Sequence, residues 1–311
     1  MIERRAPAKI NLGLRILRKR SDGYHDLETA FMAIPWYDIV RGRRADTTSM
    51  TCSDPQLPTD ARNLCMRALV ALESHVGCSL PTSLHLEKKL PYGAGLGSGS
   101  SDAATTLCLI NDLWELELPH ADLHKLAADL GSDVAFFLGD KVAIGTGRGE
   151  ILHTLRHPQR ETTFGFSFAL VVVVPEVHIS TADAYRGVRP HADHEQSIAS
   201  ILMTQDLALW GRKLFNDFEE SIFPAFPNLA SLKRRLVELG ADYAALSGSG
   251  AAVFGVFTND DAAKAASDTL KPEYSRLKYI SATEMGMWLE SEYAQKKHGY
   301  IATMPFRLKN M

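Results

Sequence analysis

Hydrophobic and polar positions switch period several times along the chain, and the switches mark out elements of both kinds. In "KINLGLRILR" the residues Ile10, Leu12, Leu14 and Ile16 alternate with small or polar ones, the period of a half-buried strand, and "RSDGYH" supplies turn chemistry directly after it. "ETAFMAIPWYDIV" predicts a second strand, with Pro35 marking an edge or a bulge because proline donates nothing to a ladder. From Arg62 to Val76 the period lengthens, and Leu64, Ala68, Ala71 and Leu72 share one helical face. "TSLHLEKKL" alternates again as a strand. "PHADLHKLAADLG" predicts a helix with Leu123, Leu126, Ala127 and Leu130 inward and Gly131 as its stop, and "SDVAFFLG" restarts at once. "FSFALVVVV" is too continuously apolar to face solvent as a strand. Helical periodicity then dominates from Ile198 to Leu239, and "DYAALSGSGAAVFGVF" reads as a strand pair around a glycine loop. This mixture, without a regular repeat, predicts an α+β protein rather than a doubly wound sheet. Two domains are expected, 1–155 and 156–311, with the boundary near Leu155.

One stretch breaks the pattern. "LPYGAGLGSGSSDAATTLCLI", Leu90 to Ile110, crowds glycine and serine into its first half and becomes helical in its second. Glycine gives up backbone order in exchange for close approach and positive φ. A helix start presents unpaired N–H groups and a positive dipole end, so the stretch reads as a phosphate cradle. It matches none of the common phosphate motifs. A dinucleotide fingerprint would need glycine where Ser98, Ser100 or Asp102 stands, and the chain holds no Gly-Lys pair for a Walker loop. The kinase "HRD" triplet and the G-x-S-x-G elbow are missing as well.

Composition narrows the classes further. With 311 residues, 45% hydrophobic and 23% charged, the chain can bury two cores, and a net charge of −3 argues against a nucleic-acid partner. The four cysteines, Cys52, Cys65, Cys78 and Cys108, form no C-x-x-C pair, so neither a zinc knuckle nor a disulfide scaffold is expected. "MIERRAPAKI" lacks an apolar h-region and "FALVVVVP" is too short to span a bilayer, which leads to an expected cytoplasmic location without a membrane partner. His120 with His124, and His191 with His194, have chelating spacing but no clustered carboxylate or cysteine, and read as surface histidines. "LKRRL" reads as a charged helix face, and "GTGRGE" as a hairpin turn with Arg148 and Glu150 bracing it.

The segments "KINLGLRILRKRSDGYHDLET", "LPYGAGLGSGSSDAA", "LGSDVAFFLGDKVAIGTGRGE" and "SGSGAAVFGVF" together resemble the GHMP small-molecule kinases, with order and spacing agreeing from Lys9 to about Phe257. The closest resemblance is to the branch that phosphorylates the 2-hydroxyl of a cytidine-diphosphate-linked methylerythritol on the non-mevalonate route to isoprenoid precursors. Mevalonate- and homoserine-type kinases, and a nucleotide-binding regulator without chemistry, stand as the alternatives. The resemblance implies an N-terminal domain of the ribosomal-protein-S5 type, a C-terminal ferredoxin-like domain, ATP and Mg²⁺ as cofactors, a small-molecule substrate, and a monomer or homodimer.

It also implies roles for single residues. Gly93, Ala94, Gly95, Leu96, Gly97, Ser98, Gly99, Ser100 and Ser101 would wrap the triphosphate, with the helix opening at Ser101, and Pro91 would belong to the same ATP site. Ser98 or Ser101 would ligate Mg²⁺, with a cap on that helix as the other reading of Ser101, and Asn63 and Lys88 would contact the adenosine part. Asp133 would be the catalytic base, oriented by Lys9; an Asp after a Gly-Ser turn is otherwise a helix cap. Tyr24 and Tyr185 would sandwich the cytosine, His25 would read its polar edge, Asn11 would bind the methylerythritol hydroxyls, and Ser247 and Gly248 would line the same pocket. The sequence departs from the family pattern at Ser98, where glycine is usual, at Ala135, where proline is usual, and in the tail after "EMGM".

Overall fold

The computed structural model describes residues 1–155, 164–191 and 194–290. Its first half is built on two long strands, β1 (Ile2–Lys19) and β2 (His25–Arg44), joined by the predicted turn and paired antiparallel along their length. β1 covers one side of β2. The other side is shared by β4 (Thr82–Glu87) and β5 (Val142–Thr146), both antiparallel to β2, and β3 (Ser49–Cys52) and β6 (Ile151–Thr154) extend the sheet at its ends. Pro35 therefore sits in a central strand, and the bulge alternative holds. Pro7 faces Tyr37 and Ala8 faces Ile34, so Pro35 and Trp36 are the extra residues, in the gap between the stretches of β2 paired with β5 and β4.

Four helices cover this sheet: α1 (Leu64–Val76), α2 (Ser98–Leu113), α3 (His120–Leu130) and the single turn α4 (Ser132–Phe136). α2 is buried nearly all round, at the centre of a cluster that also takes in Leu69, Leu72, Leu123 and Phe136. Gly131 ends α3 as the sequence predicts, and α4 starts on the next residue. At α1 the side chain of Asn63 accepts from Cys65 N at 2.9 Å, and its amide donates to Pro58 O at 2.7 Å. Asn63→Ala should lower the unfolding free energy by about 1 kcal/mol, the usual cost of a lost cap, as read from a denaturant midpoint at unchanged m-value.

The second half is a four-stranded antiparallel sheet of β7 (Ala169–Val173), β8 (Tyr243–Leu246), β9 (Val253–Phe257) and β10 (Leu277–Ile280), in the order β10-β7-β9-β8. Helices fall between β7 and β8 and between β9 and β10, which is the ferredoxin-like arrangement. The stretch 198–239 is not one helical run but four short helices, α6 (Ile198–Leu202), α7 (Leu207–Lys213), α8 (Phe218–Ala225) and α9 (Pro227–Glu238), after α5 (Thr181–Arg186). Asp206 and Pro227 supply two of its three breaks, the first as an N-cap and the second at the first helical position. α10 (Asp260–Leu270) packs on this sheet, and α11 (Ala282–Glu290) follows β10.

One apolar cluster joins the halves: Ile10, Leu12 and Met32 from the first meet Leu170, Val172, Trp210 and Phe254 from the second. The start of the unmatched tail belongs to the same packing. Trp288 lies against the cluster, donates its Nε1 to Ala33 O at 3.3 Å and meets Tyr37 edge-on; residues 291–311 lie outside the described residues. Among the described residues no helix is long and apolar enough to cross a membrane.

Candidate active site

The glycine stretch does not float between the halves; three strands hold it. Lys9 N on β1 donates to Leu96 O at 2.9 Å, and Ala252 N, just before β9, donates to Ala94 O at 3.0 Å. Ser247 Oγ, just after β8, donates to Gly95 O at 2.9 Å, and the same hydroxyl accepts from Asn11 N at 3.3 Å. Gly93, Gly95 and Gly97 all have positive φ. At Gly95 an added Cβ would stand 2.0 Å from Ser247 O, so only glycine permits this seat.

α2 begins at Ser98, three residues before the predicted start, and its N-cap is Gly97 without a side-chain cap. Ser101 is thus neither first nor cap: it is completely buried inside the first turn, and its hydroxyl has no hydrogen-bond partner among the described residues. No acidic side chain occupies that turn. The N–H groups at the start of a 16-residue helix are therefore left for an anion rather than a cap, which fits a phosphate.

Beside the loop opens a cleft of about 370 Å³. Lys9, almost fully buried, points its ammonium at Asn11 Oδ1 (2.6 Å) and at Asp133 Oδ2 (3.5 Å), over the Phe31 ring. Asp133 is on the first turn of α4, whose N-cap is Gly131 with no side-chain cap, so its carboxylate is spared for the cleft. Asn11 passes its amide to Thr29 Oγ1 at 2.8 Å, and Thr29 in turn donates to Gly13 O, so the β1–β2 ladder orients it. Gly248 lies at the floor, where an added Cβ would come within 3.2 Å of Asn11 Oδ1. The structure thus gathers Lys9, Asn11, Asp133, Gly248, Tyr185 and the glycine loop in one place.

The predicted base-binding residues arrange themselves differently from a two-tyrosine sandwich. His25, not Tyr24, stacks on Tyr185, with centroids 4.8 Å apart and planes 16° from parallel, while Phe218 meets the tyrosine edge-on. Tyr24 is 57% exposed, and the Arg148 guanidinium lies 4.8 Å over its ring. Burial, followed by the Asp133 charge, raises the Tyr185 phenol above its ordinary range, and burial lowers the His25 imidazole. "GTGRGE" is the predicted hairpin turn between β5 and β6, with Glu150 accepting from Arg148 N, yet Arg148 and Gly149 also line the cleft.

A second cavity of about 680 Å³ lies along Lys88 to Tyr92 and shares Tyr92 and His178 with the first. Lys88 lines it, but its ammonium is engaged with Asp38 and Asp102; Asn63 lines neither cavity. His178, Thr29 and Phe31 in the cleft, and Asp38 and Asp102 behind the loop, were not singled out by sequence reasoning. Thr29, Phe31 and Asp38 lie in the segment that predicts β2 and Asp102 in the glycine-rich stretch itself, but neither pattern marks them as site residues, and only the folded chain brings them to the site.

Gly97→Val is expected to weaken binding of a non-hydrolysable ATP analogue about tenfold, since φ there is +66° and an added Cβ would meet Lys9 Cγ at 3.0 Å. Calorimetry beside a melting curve reads it. Unchanged affinity with lost stability would make the loop purely structural.

Residues 63–140 match the family described as GHMP kinases N terminal domain, and 198–276 match GHMP kinases C terminal. The chain is 43% identical over 280 residues to 4-diphosphocytidyl-2-C-methyl-D-erythritol kinase of Salinibacter ruber, covering 89% of this chain and 97% of that protein. Its fold matches the crystal structure of 4-(cytidine 5'-diphospho)-2C-methyl-D-erythritol kinase with a TM-score of 0.73 at 32% identity, over 89% of this chain and 98% of that one. The homoserine kinase of Cytophaga hutchinsonii matches with a TM-score of 0.70 at 21% identity, over 90% and 93%, a likeness of fold.

Proposed function

Since this chain belongs to the GHMP kinases, and among them to the family of 4-diphosphocytidyl-2-C-methyl-D-erythritol kinase, we propose that it transfers the γ-phosphoryl group of ATP to the 2-hydroxyl of 4-diphosphocytidyl-2-C-methyl-D-erythritol. The observation that carries the reading is the Lys9–Asp133 pair facing an uncapped helix start across one cleft. Phosphoryl transfer passes through a loose transition state with charge spread over the transferring oxygens, so it is accelerated mainly by positioning and by fixed dipoles. The loop and the start of α2 supply those dipoles at the triphosphate.

Asp133 takes the proton of the attacking hydroxyl, and Lys9, held by Asn11, keeps that carboxylate aimed at it. Asn11 orients the acceptor's hydroxyls and Tyr185 offers a ring face to the base. The cavity of about 680 Å³ along Lys88 to Tyr92 adjoins the loop and is not lined by Asp133, which makes it the seat for the adenosine part. Mg²⁺, when bound with ATP, neutralises charge on the β- and γ-phosphates. The buried hydroxyl of Ser101, without a partner among the described residues, is an oxygen donor of the kind it would take.

The test is a panel: labelled ATP with the cytidine-linked acceptor, mevalonate and homoserine. Transfer to the first alone supports the reading. Transfer to either of the others, with no pyrimidine requirement, replaces it.

A further inference from the structure

Behind the glycine loop, out of the cleft, lies an ion cluster with no part in the chemistry above. Lys88 Nζ donates to Asp38 Oδ2 and, at 2.9 Å, to Asp102 Oδ2. The side chains of Lys88, Asp38 and Asp102 are 5%, 0% and 4% exposed. The second oxygen of Asp38 accepts from Lys89 N at 2.5 Å and from Leu90 N at 2.8 Å. Asp38 belongs to β2, Lys88 follows β4 directly, and Asp102 is inside α2. The chain therefore enters the loop against one carboxylate and leaves it beside the other, with a single ammonium bridging the two.

Charges so far from water persist only where partners and geometry hold them. Here they also carry a mechanical consequence. The segment between Lys88 and Asp102 contains no regular structure before α2 and three glycines at positive φ, a backbone that has much freedom to lose when it closes on a ligand. Tying its two ends to one point on β2 removes part of that freedom beforehand.

We propose that Asp38, Lys88 and Asp102 are positioning residues that clamp both ends of the phosphate loop, so that affinity for the triphosphate depends on buried ion pairs whose charged groups the nucleotide does not touch. This assigns Lys88 a role different from the adenosine contact that the family resemblance implies. It rests on the reading of the loop as an ATP site, and not on the identity of the acceptor.

The experiment compares the wild-type protein with Asp102→Ala, Lys88→Met and the double variant. Asp102→Ala puts a strong helix former into α2 and leaves Lys88 paired with Asp38, so it is the variant expected to fold, and it carries the test alone if Lys88→Met does not. Calorimetry with a non-hydrolysable ATP analogue, competition with adenosine, and the acceptor KM are the readouts. Each single variant should bind the analogue about tenfold more weakly, and the double variant no more weakly than the poorer single one, because one clamp is lost only once. Adenosine affinity of Asp102→Ala, whose site lines neither cavity, and the acceptor KM of every variant should stay within twofold of wild type. If Lys88→Met lowers adenosine affinity while Asp102→Ala leaves the analogue's affinity intact, Lys88 touches the nucleotide and the proposal is overturned. Analogue affinity within twofold of wild type in every variant, whatever the melting temperatures, overturns it too. A wild-type protein that binds no analogue would instead sink the ATP reading beneath it.

Discussion

Asp133→Asn is expected to lower kcat by at least about a hundredfold, the scale of a lost general base, with the affinity for an ATP analogue nearly unchanged. The two effects separate because the carboxylate and the triphosphate seat lie on different elements. Asp133 comes from the single turn α4, whereas the loop is held by β1 and the β8–β9 hairpin through Leu96, Gly95 and Ala94. Asparagine keeps the volume and a hydrogen-bonding oxygen toward Lys9, so the cleft stays packed and only the proton acceptor is lost. Steady-state kinetics beside analogue calorimetry checks both halves. Turnover within a few-fold of wild type would remove Asp133 from the chemistry. A drop in analogue affinity as large as the drop in kcat would make it part of the nucleotide seat.

The second large effect concerns the acceptor. Tyr185→Ala should weaken acceptor binding by about 1–3 kcal/mol, the usual scale of base–aromatic stacking, and Tyr185→Phe should largely restore it because the ring face is what a base uses. Tyr24→Ala is expected to cost less than Tyr185→Ala, because Tyr24 is at the exposed rim under Arg148 and Tyr185 is wedged between Phe218 and His25. His25 lies on the face of Tyr185 that a base would take, so it must either share that face or give way. His25→Ala should erode the preference for cytidine over uridine and leave the stack. The kcat/KM values for cytidine- and uridine-linked acceptors, with melting temperatures, decide it. A uniform loss on both acceptors with falling melting temperatures would make these rings core packing and reopen the mevalonate-type alternative.

What the sequence made legible was what repeats locally or sits in a motif. Ile10, Leu12, Leu14 and Ile16 announced β1 because alternation on a strand buried against its neighbours leaves no other period, and Gly131 announced the end of α3 because glycine is a poor helix former and a common stop. Lys9 and Asp133 came from the family resemblance, and the fold sets them 3.5 Å apart. β3 and β10 are four residues each, too short to show a period. Ser101 looked like a helix start because serine favours that place, but the loop delivers the chain into α2 at Ser98 behind a left-handed Gly97, a choice made by the seat on β1. Asp38 was one carboxylate among many until β2, β4 and α2 met around it. Nothing in the spacing of residues 38, 88 and 102 foretells a bridge.

The bond from Ser247 to Gly95 joins residues 152 positions apart, and that separation sets a clock. At the usual ribosomal pace of about 5–20 residues per second, the glycine loop leaves the peptidyl-transferase centre roughly 8–30 seconds before the hydroxyl that seats it has been made. During that interval α3, α4 and β5, the partners of α2 and β2, are made, while the loop still lacks the hairpin that gives Gly95 its place. The phosphate seat is therefore complete only late, as the β8–β9 turn arrives. A ligand present in the cell can stabilise this protein only after nearly the whole described chain exists, so early mistakes in the first half must be corrected without the nucleotide's help.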